Sequence, residues 1–216
     1  MLILIVAGCG KEKNHVEHQP VNQSHVAKIE RNADDKILVV YFSVPESDNA
    51  ETITEEEKKS AVVIDGEVLG NTQYIAQIIR QNSGADIFRI EPVTPYPMNH
   101  GEIEQIATKE RRDNALPEIL NKVENFDEYK IIFVGYPIWY GSMPRILYSF
   151  FGSYNFAGKT IVPFITSGGS GFANTISEIK NIQPNANVIE NGLSVKREVI
   201  KSSEQDIKNW LKNLGF

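Results

Sequence analysis

Strand-like and helix-like stretches alternate about five times in the second half of the first hundred residues and onward to the C-terminus, and this alternation constrains the fold more than any other feature. The run Ile37-Leu38-Val39-Val40-Tyr41-Phe42 is continuously apolar, as a strand buried on both faces must be. Residues 130–136 (KIIFVGY) and 159–166 (KTIVPFIT) repeat the pattern. Residues 86–91 are weaker and alternating, as on an edge strand, and 187–190 make a marginal fifth. Between them, Ile75, Ile78 and Ile79 mark one face of a helix over 72–81. Residues 117–123 and 144–151 read as helices opened by proline, which a first helical turn tolerates. Residues 172–182 and 203–214 complete the helices. This order predicts an α/β fold: a parallel sheet with helices on both faces, and ligands at the carboxyl ends of its strands.

The unusual residues lie at those ends. The first strand runs into Ser43, but its helix begins only at Gly70-Asn71-Thr72, after an insertion at 44–69. Hydroxyls and glycine leading into a helix N-terminus suit a phosphate, because free N–H groups and the helix dipole favour an anion. The same Gly-Asn-Thr also suits a simple helix cap. Within the insertion, Asp65-Gly66 between apolar residues predicts a hairpin, and 45–59 predict an exposed acidic loop.

The third strand ends in Pro137-Ile138-Trp139-Tyr140-Gly141. Two large aromatics at a loop apex call for a partner, either a flat conjugated ligand or a neighbouring protein surface. The fourth ends in Thr166-Ser167-Gly168-Gly169-Ser170-Gly171, a loop able to present many N–H groups to the edge of a polar heterocycle, or to serve as a flexible turn. His100, after Pro95-Tyr96-Pro97, falls in a predicted loop with no assigned role, and no acid–base pair stands out as catalytic.

The N-terminus is a separate matter. Val6-Ala7-Gly8-Cys9 resembles the end of a bacterial lipoprotein signal, with Cys9 the lipid-bearing residue. The apolar stretch is short and lacks a basic start, so 1–9 is expected to be a truncated signal whose true start codon lies upstream. An ordinary apolar N-terminal strand with an incidental cysteine is the alternative. Residues 10–35 are polar and predicted to be a flexible linker, leaving 36–216 as one folded domain. His15, His18 and His25 fall in that linker, where no fixed geometry would hold a metal. With a single cysteine, no intramolecular disulfide can form. A net charge of −6 argues against a nucleic-acid partner. The implied location is the bacterial cell envelope, on the extracytoplasmic side, with the membrane engaged through a lipid anchor only.

Taken together, the three loops resemble those of the flavodoxin family over residues 37–213. Ser43 and Gly70-Asn71-Thr72 are similar to the two ends of its phosphate loop. Gly66-Glu67-Val68-Leu69-Gly70-Asn71-Thr72 resembles a branch whose phosphate loop carries a hairpin. Pro137 to Gly141 and Thr166 to Gly171 are similar to the two loops that flank the flavin. The resemblance implies a doubly wound five-stranded parallel sheet of order 2-1-3-4-5, with FMN as cofactor. It leaves open which insertion residues add phosphate contacts, with Asn49 and Ala50 as candidates. It also implies an electron-transfer protein serving a redox partner protein. The alternative is an FMN-dependent NAD(P)H oxidoreductase of the quinone or flavin reductase type, taking hydride from a nicotinamide cofactor; a flavin-free binding module is a third class.

Overall fold

The structure, a computed structural model, describes residues 28–216. Cys9 and the linker histidines lie outside the described residues. At the centre is a parallel sheet in the order β4 (Asp86–Arg89), β1 (Lys36–Tyr41), β5 (Tyr129–Pro137), β6 (Thr160–Ser167), with a fifth position shared by β7 (Asn187–Val188) and β8 (Leu193–Lys196). Counting the fifth position once, this is the expected order 2-1-3-4-5, with the weakly alternating strand at the edge. A separate antiparallel hairpin, β2 (Ala61–Ile64) and β3 (Glu67–Gly70), sits in the insertion.

Period-two geometry divides the strand side chains between two cores. Ile37, Val39 and Tyr41 of β1, with Ile131 and Phe133 of β5, meet α1 (Asn71–Ser83) and α5 (Glu204–Leu214) on one face. Leu38 and Val40, with Ile132, Val134 and Tyr136, meet α3 (Arg145–Ser153) and α4 (Thr175–Ile182) on the other. Burial on both faces is why these strands read as unbroken apolar runs.

Three expectations are corrected. First, residues 117–123 form no helix: Ile119 bridges Pro92, with Val93 N–H donating to Glu118 O at 2.9 Å and Leu120 N–H to Glu91 O at 2.8 Å. The segment satisfies its backbone by pairing with the chain that leaves β4. Second, the helix here is α2 (His100–Arg112), so His100 opens a helix and is not in a loop; the Asn99 side chain caps it, accepting from Glu102 N–H at 3.1 Å. Third, the fifth strand breaks after Val188 and resumes at Leu193. At the break, β6 carries Pro163, which has no N–H to pair, and Gly192 presses so close that a Cβ would lie 2.2 Å from the Pro163 carbonyl oxygen.

The folded part starts ahead of the expected boundary at residue 36. Ile29 is buried, its N–H donates to Leu214 O at 2.9 Å, and Arg31 lies over the Phe216 ring. Among the described residues no helix is long and apolar enough to cross a membrane.

Candidate functional site

The insertion separates Ser43 from Gly70 by 26 residues in sequence and none in space. Asp65 (φ 50°) and Gly66 (φ 84°) turn the hairpin as a type I′ pair, and the register Ala61 opposite Gly70 returns the chain to the end of β1. A Cβ on Gly70 would fall 2.1 Å from Ser43 Oγ and 3.1 Å from Ser43 Cβ, so a side chain here would displace the Ser43 hydroxyl. Gly70 then caps α1 from an extended conformation, its N–H bonded to Gln73 Oε1 at 3.2 Å. The same register puts Ser60 and Lys59 beside the helix start: Asn71 N–H donates to Ser60 O and Asn71 Nδ2 to Lys59 O, both at 2.9 Å. Thr72 shares a buried hydrogen bond of 2.9 Å with Thr166 at the end of β6, joining the first loop to the third.

The loop after β5 is pinned to β6 by Ile138 N–H donating to Thr166 O at 2.9 Å. It turns tightly, Trp139 and Ser142 exchanging two backbone bonds of 3.0 Å around Tyr140 (φ 50°) and Gly141 (φ 74°). Arg111 of α2 donates to the Tyr140 carbonyl at 3.0 Å. Trp139 packs edge-on between Phe42 and Tyr96, with centroids 5.5 and 5.4 Å away, whereas Tyr140 is 47% exposed. These loops surround an open cleft of about 190 Å³ at the carboxyl ends of the strands.

A family model described as flavodoxin matches residues 60–214. The chain belongs to the flavodoxin family. Among solved structures, a candidate flavoprotein from Bacteroides eggerthii shares 29% identity, with 84% of this chain and 98% of that one covered and a TM-score of 0.62. A second, from Bacteroides uniformis, shares 24% identity over 82% and 98% of the two chains with a TM-score of 0.61. A Lactobacillus acidophilus flavoprotein in complex with FMN shares 18%, covering 79% and 99%, with a TM-score of 0.55, a likeness of fold. No curated protein sequence matches.

In this flavodoxin-family chain, the cleft gathers Ser43, Asn71 and Thr72 from the first loop, Pro137, Ile138, Trp139 and Tyr140 from the second, and Thr166, Ser167 and Gly168 from the third. Gly70, Gly141, Gly169, Ser170 and Gly171 are not among the residues that line it; they belong to the same loops, where Gly141, Gly169 and Gly171 take positive φ and Gly169 N–H bonds Ser167 Oγ at 3.2 Å. Neither Asn49 nor Ala50 lines the cleft. Asn49 Oδ1 instead accepts from Glu51 N–H at 3.0 Å, and the insertion contributes Val44, Glu46, Lys59 and Ser60.

Sequence reasoning missed two further sources. His100, Ile103, Glu104 and Ala107, one face of α2, form a wall of the cleft, and Arg197 reaches it from beyond β8. The α2 signal was present: Asn99 three residues ahead of Glu102, then Ile103, Ile106 and Ala107 at helical spacing. Nothing local marked Arg197. The His100 imidazole sits 3.0 Å from Glu46 Oε1 at Nδ1 and 3.4 Å from Glu104 Oε1 at Nε2. The hydrogen bond to Glu46, helped by the charges of Glu46, Glu104 and Glu56 and opposed by partial burial, raises its pKa above the ordinary histidine value. The cleft therefore combines hydroxyls at a helix start, an aromatic loop, a glycine loop and a protonatable imidazole.

Proposed function

We propose that this chain binds FMN in the cleft and serves as an electron carrier. One observation carries the reading most: the insertion closes on itself so that Ser43, Asn71 and Thr72 stand together at the start of α1, in the cleft that also holds Trp139 and Tyr140. The residues fit the group. Asn71 Oδ1 is buried with no hydrogen-bond partner among the described residues, a cost that a ligand hydroxyl would remove. A side chain on Gly70 would push aside the Ser43 hydroxyl at the point where the chain would approach an anion. Ser43, Thr72 and the first N–H groups of α1 would hold the phosphate. Trp139 and Tyr140 would bear on the ring, and the Gly168–Gly171 backbone would meet its polar edge.

FMN, when bound, supplies one- and two-electron redox chemistry; the protein's part is to hold, orient and shield it. Purified protein should be yellow and release FMN on acid precipitation. Stoichiometric FAD, or folded protein that takes up no FMN, would refute the reading.

A second reading, an FMN-dependent NAD(P)H oxidoreductase, is favoured by one feature: His100 at the cleft wall, its pKa raised by the hydrogen bond to Glu46, could deliver a proton to a two-electron acceptor. Rapid mixing with NADH and NADPH separates the two. A carrier is reduced slowly or not at all by either, and a reductase rapidly by at least one. For location, we propose a lipid anchor at Cys9, on the strength of Val6-Ala7-Gly8-Cys9. With a complete signal supplied, the protein should incorporate labelled fatty acid and Cys9→Ser should abolish the label; equal labelling of the variant would refute the anchor.

A further inference from the structure

We infer that Lys59 and Arg197 make this cleft select a phosphorylated flavin over its unphosphorylated counterpart, an inference that rests on the flavin reading above. Lys59 closes a 3-10 turn (Glu57–Lys59) in the insertion, and its carbonyl holds the Asn71 amide, so its position is tied to the first residue of α1. Arg197 opens a second 3-10 turn (Arg197–Ser202), which packs against α1 and β2. Its guanidinium lies over Gly168, where a Cβ would meet it at 3.1–3.3 Å. Two elements remote in sequence thus bring one cation each to the cleft that contains Ser43 and Thr72.

Neither cation is bound strongly elsewhere. Lys59 pairs with Glu56, and Arg197 Nε lies 3.1 Å from Glu198 Oε1, with the two basic side chains 43% and 36% exposed. Exposed pairs of this kind contribute little, so either cation can exchange its carboxylate for a phosphate at small cost. The surroundings make them necessary. Glu46 and Glu104 line the same cleft, and Glu56 is close enough to act on both His100 and Arg197. Without Lys59 and Arg197 these acids, offset by His100 alone where it is protonated, would set a field opposed to a dianion, whereas an uncharged ligand end would need no such compensation.

The orphaned Asn71 oxygen is an independent sign of a ligand at this end. Its amide nitrogen is already committed to Lys59 O, so the oxygen is the atom left to accept a hydrogen bond. The polyhydroxylated chain next to a flavin phosphate offers such donors.

The test is fluorescence titration of the flavin-stripped full chain with FMN and with riboflavin. FMN should bind more tightly than riboflavin to the wild type. Lys59→Gln and Arg197→Gln should each weaken FMN about tenfold, the lower end for a charge-assisted hydrogen bond near solvent, and leave riboflavin unchanged. Lys59→Arg and Arg197→Lys should retain most of the FMN affinity. Added salt should weaken FMN binding to the wild type more than to the double Gln variant. Equal losses for both flavins would overturn the inference, since the residue would then serve the ring or the packing. Wild-type protein that binds FMN, with Gln variants indistinguishable from it, would overturn this inference alone. Wild-type protein that binds neither flavin would overturn the flavin reading and this inference with it.

Discussion

Replacing Gly70 by alanine tests how the split phosphate loop is reassembled. Gly70 has φ −64° and ψ 145°, a conformation any residue adopts, so the backbone itself imposes no penalty. The penalty is steric. The new methyl would sit 2.1 Å from Ser43 Oγ and 3.1 Å from Ser43 Cβ, and Ser43 is buried, so its hydroxyl must be displaced and the tight contact with its Cβ relieved by a shift of a few tenths of an ångström. Overpacking of this kind costs about 1–3 kcal/mol of stability. A displaced Ser43 would also lose its hydrogen bond to a bound phosphate, weakening FMN by about 1.5–3 kcal/mol, or roughly 10–100-fold. The partner change supplies the control. In Gly70→Ala/Ser43→Gly the clashing atoms are gone, and the next neighbour of the methyl is Pro45 Cδ at an ordinary 3.5 Å. Denaturant unfolding of the flavin-free double variant should therefore recover most of the lost stability, while FMN titration should not recover its affinity, because the hydroxyl is still missing. Unchanged unfolding and binding in Gly70→Ala would refute the close approach. Restored affinity in the double variant would refute a phosphate role for Ser43.

Gly135→Ala should destabilise by about 1–3 kcal/mol in denaturant unfolding, because its Cβ would lie 2.0–2.7 Å from the Phe164 ring across the β5–β6 pair. Lys159→Met should cost about 3 kcal/mol by the same measurement: the buried ammonium donates to Asp127 O at 2.9 Å and Tyr129 O at 2.7 Å, and both carbonyls would lose it. His100, titrated by NMR, should show a pKa above 6.5, and Glu46→Gln should lower it. Since the folded-state value is the raised one, the stability from pairing should be fully present below pH 6.5 and vanish as pH rises through that raised value, seen as a pH-dependent difference between wild type and His100→Asn.

The three central strands β1, β5 and β6 were legible because each is buried on both faces, which leaves an unbroken apolar run that cannot be mistaken for a surface element. Legibility failed where that condition failed. α2 covers the rim of the sheet and buries only Ile103 and Ala107, so its charged residues dominate the composition and hide the stripe. Residues 117–123 carry the proline that helix starts favour, yet a pairing with Pro92 decides their conformation, and no window of local sequence contains both partners. The broken fifth strand has the same origin: Pro163 on a neighbouring strand interrupts it, so the cause lies some 25–30 residues from the effect.

The site follows a related rule. Eight of its lining residues were visible because they stand at or just past the ends of central strands, where position along the chain and position in the cleft are the same thing, and Asn71 and Thr72 were visible as a hydroxyl-bearing helix start. Lys59, Ser60, His100 and Arg197 arrive by other routes: a hairpin register, a helix face and a turn beyond a broken strand. Each is chemically ordinary in sequence and acquires significance from what lies across from it. The residues that hold a ring and a phosphate by backbone geometry are thus written locally, as glycines and hydroxyls. The charges and the titratable group that would tune the ligand's affinity are written through tertiary structure. A change in preference between ligands that differ in charge can therefore arise at positions 59 and 197 without any alteration to the three loops. This is why variants at those positions are expected to alter charge selectivity while leaving the fold intact.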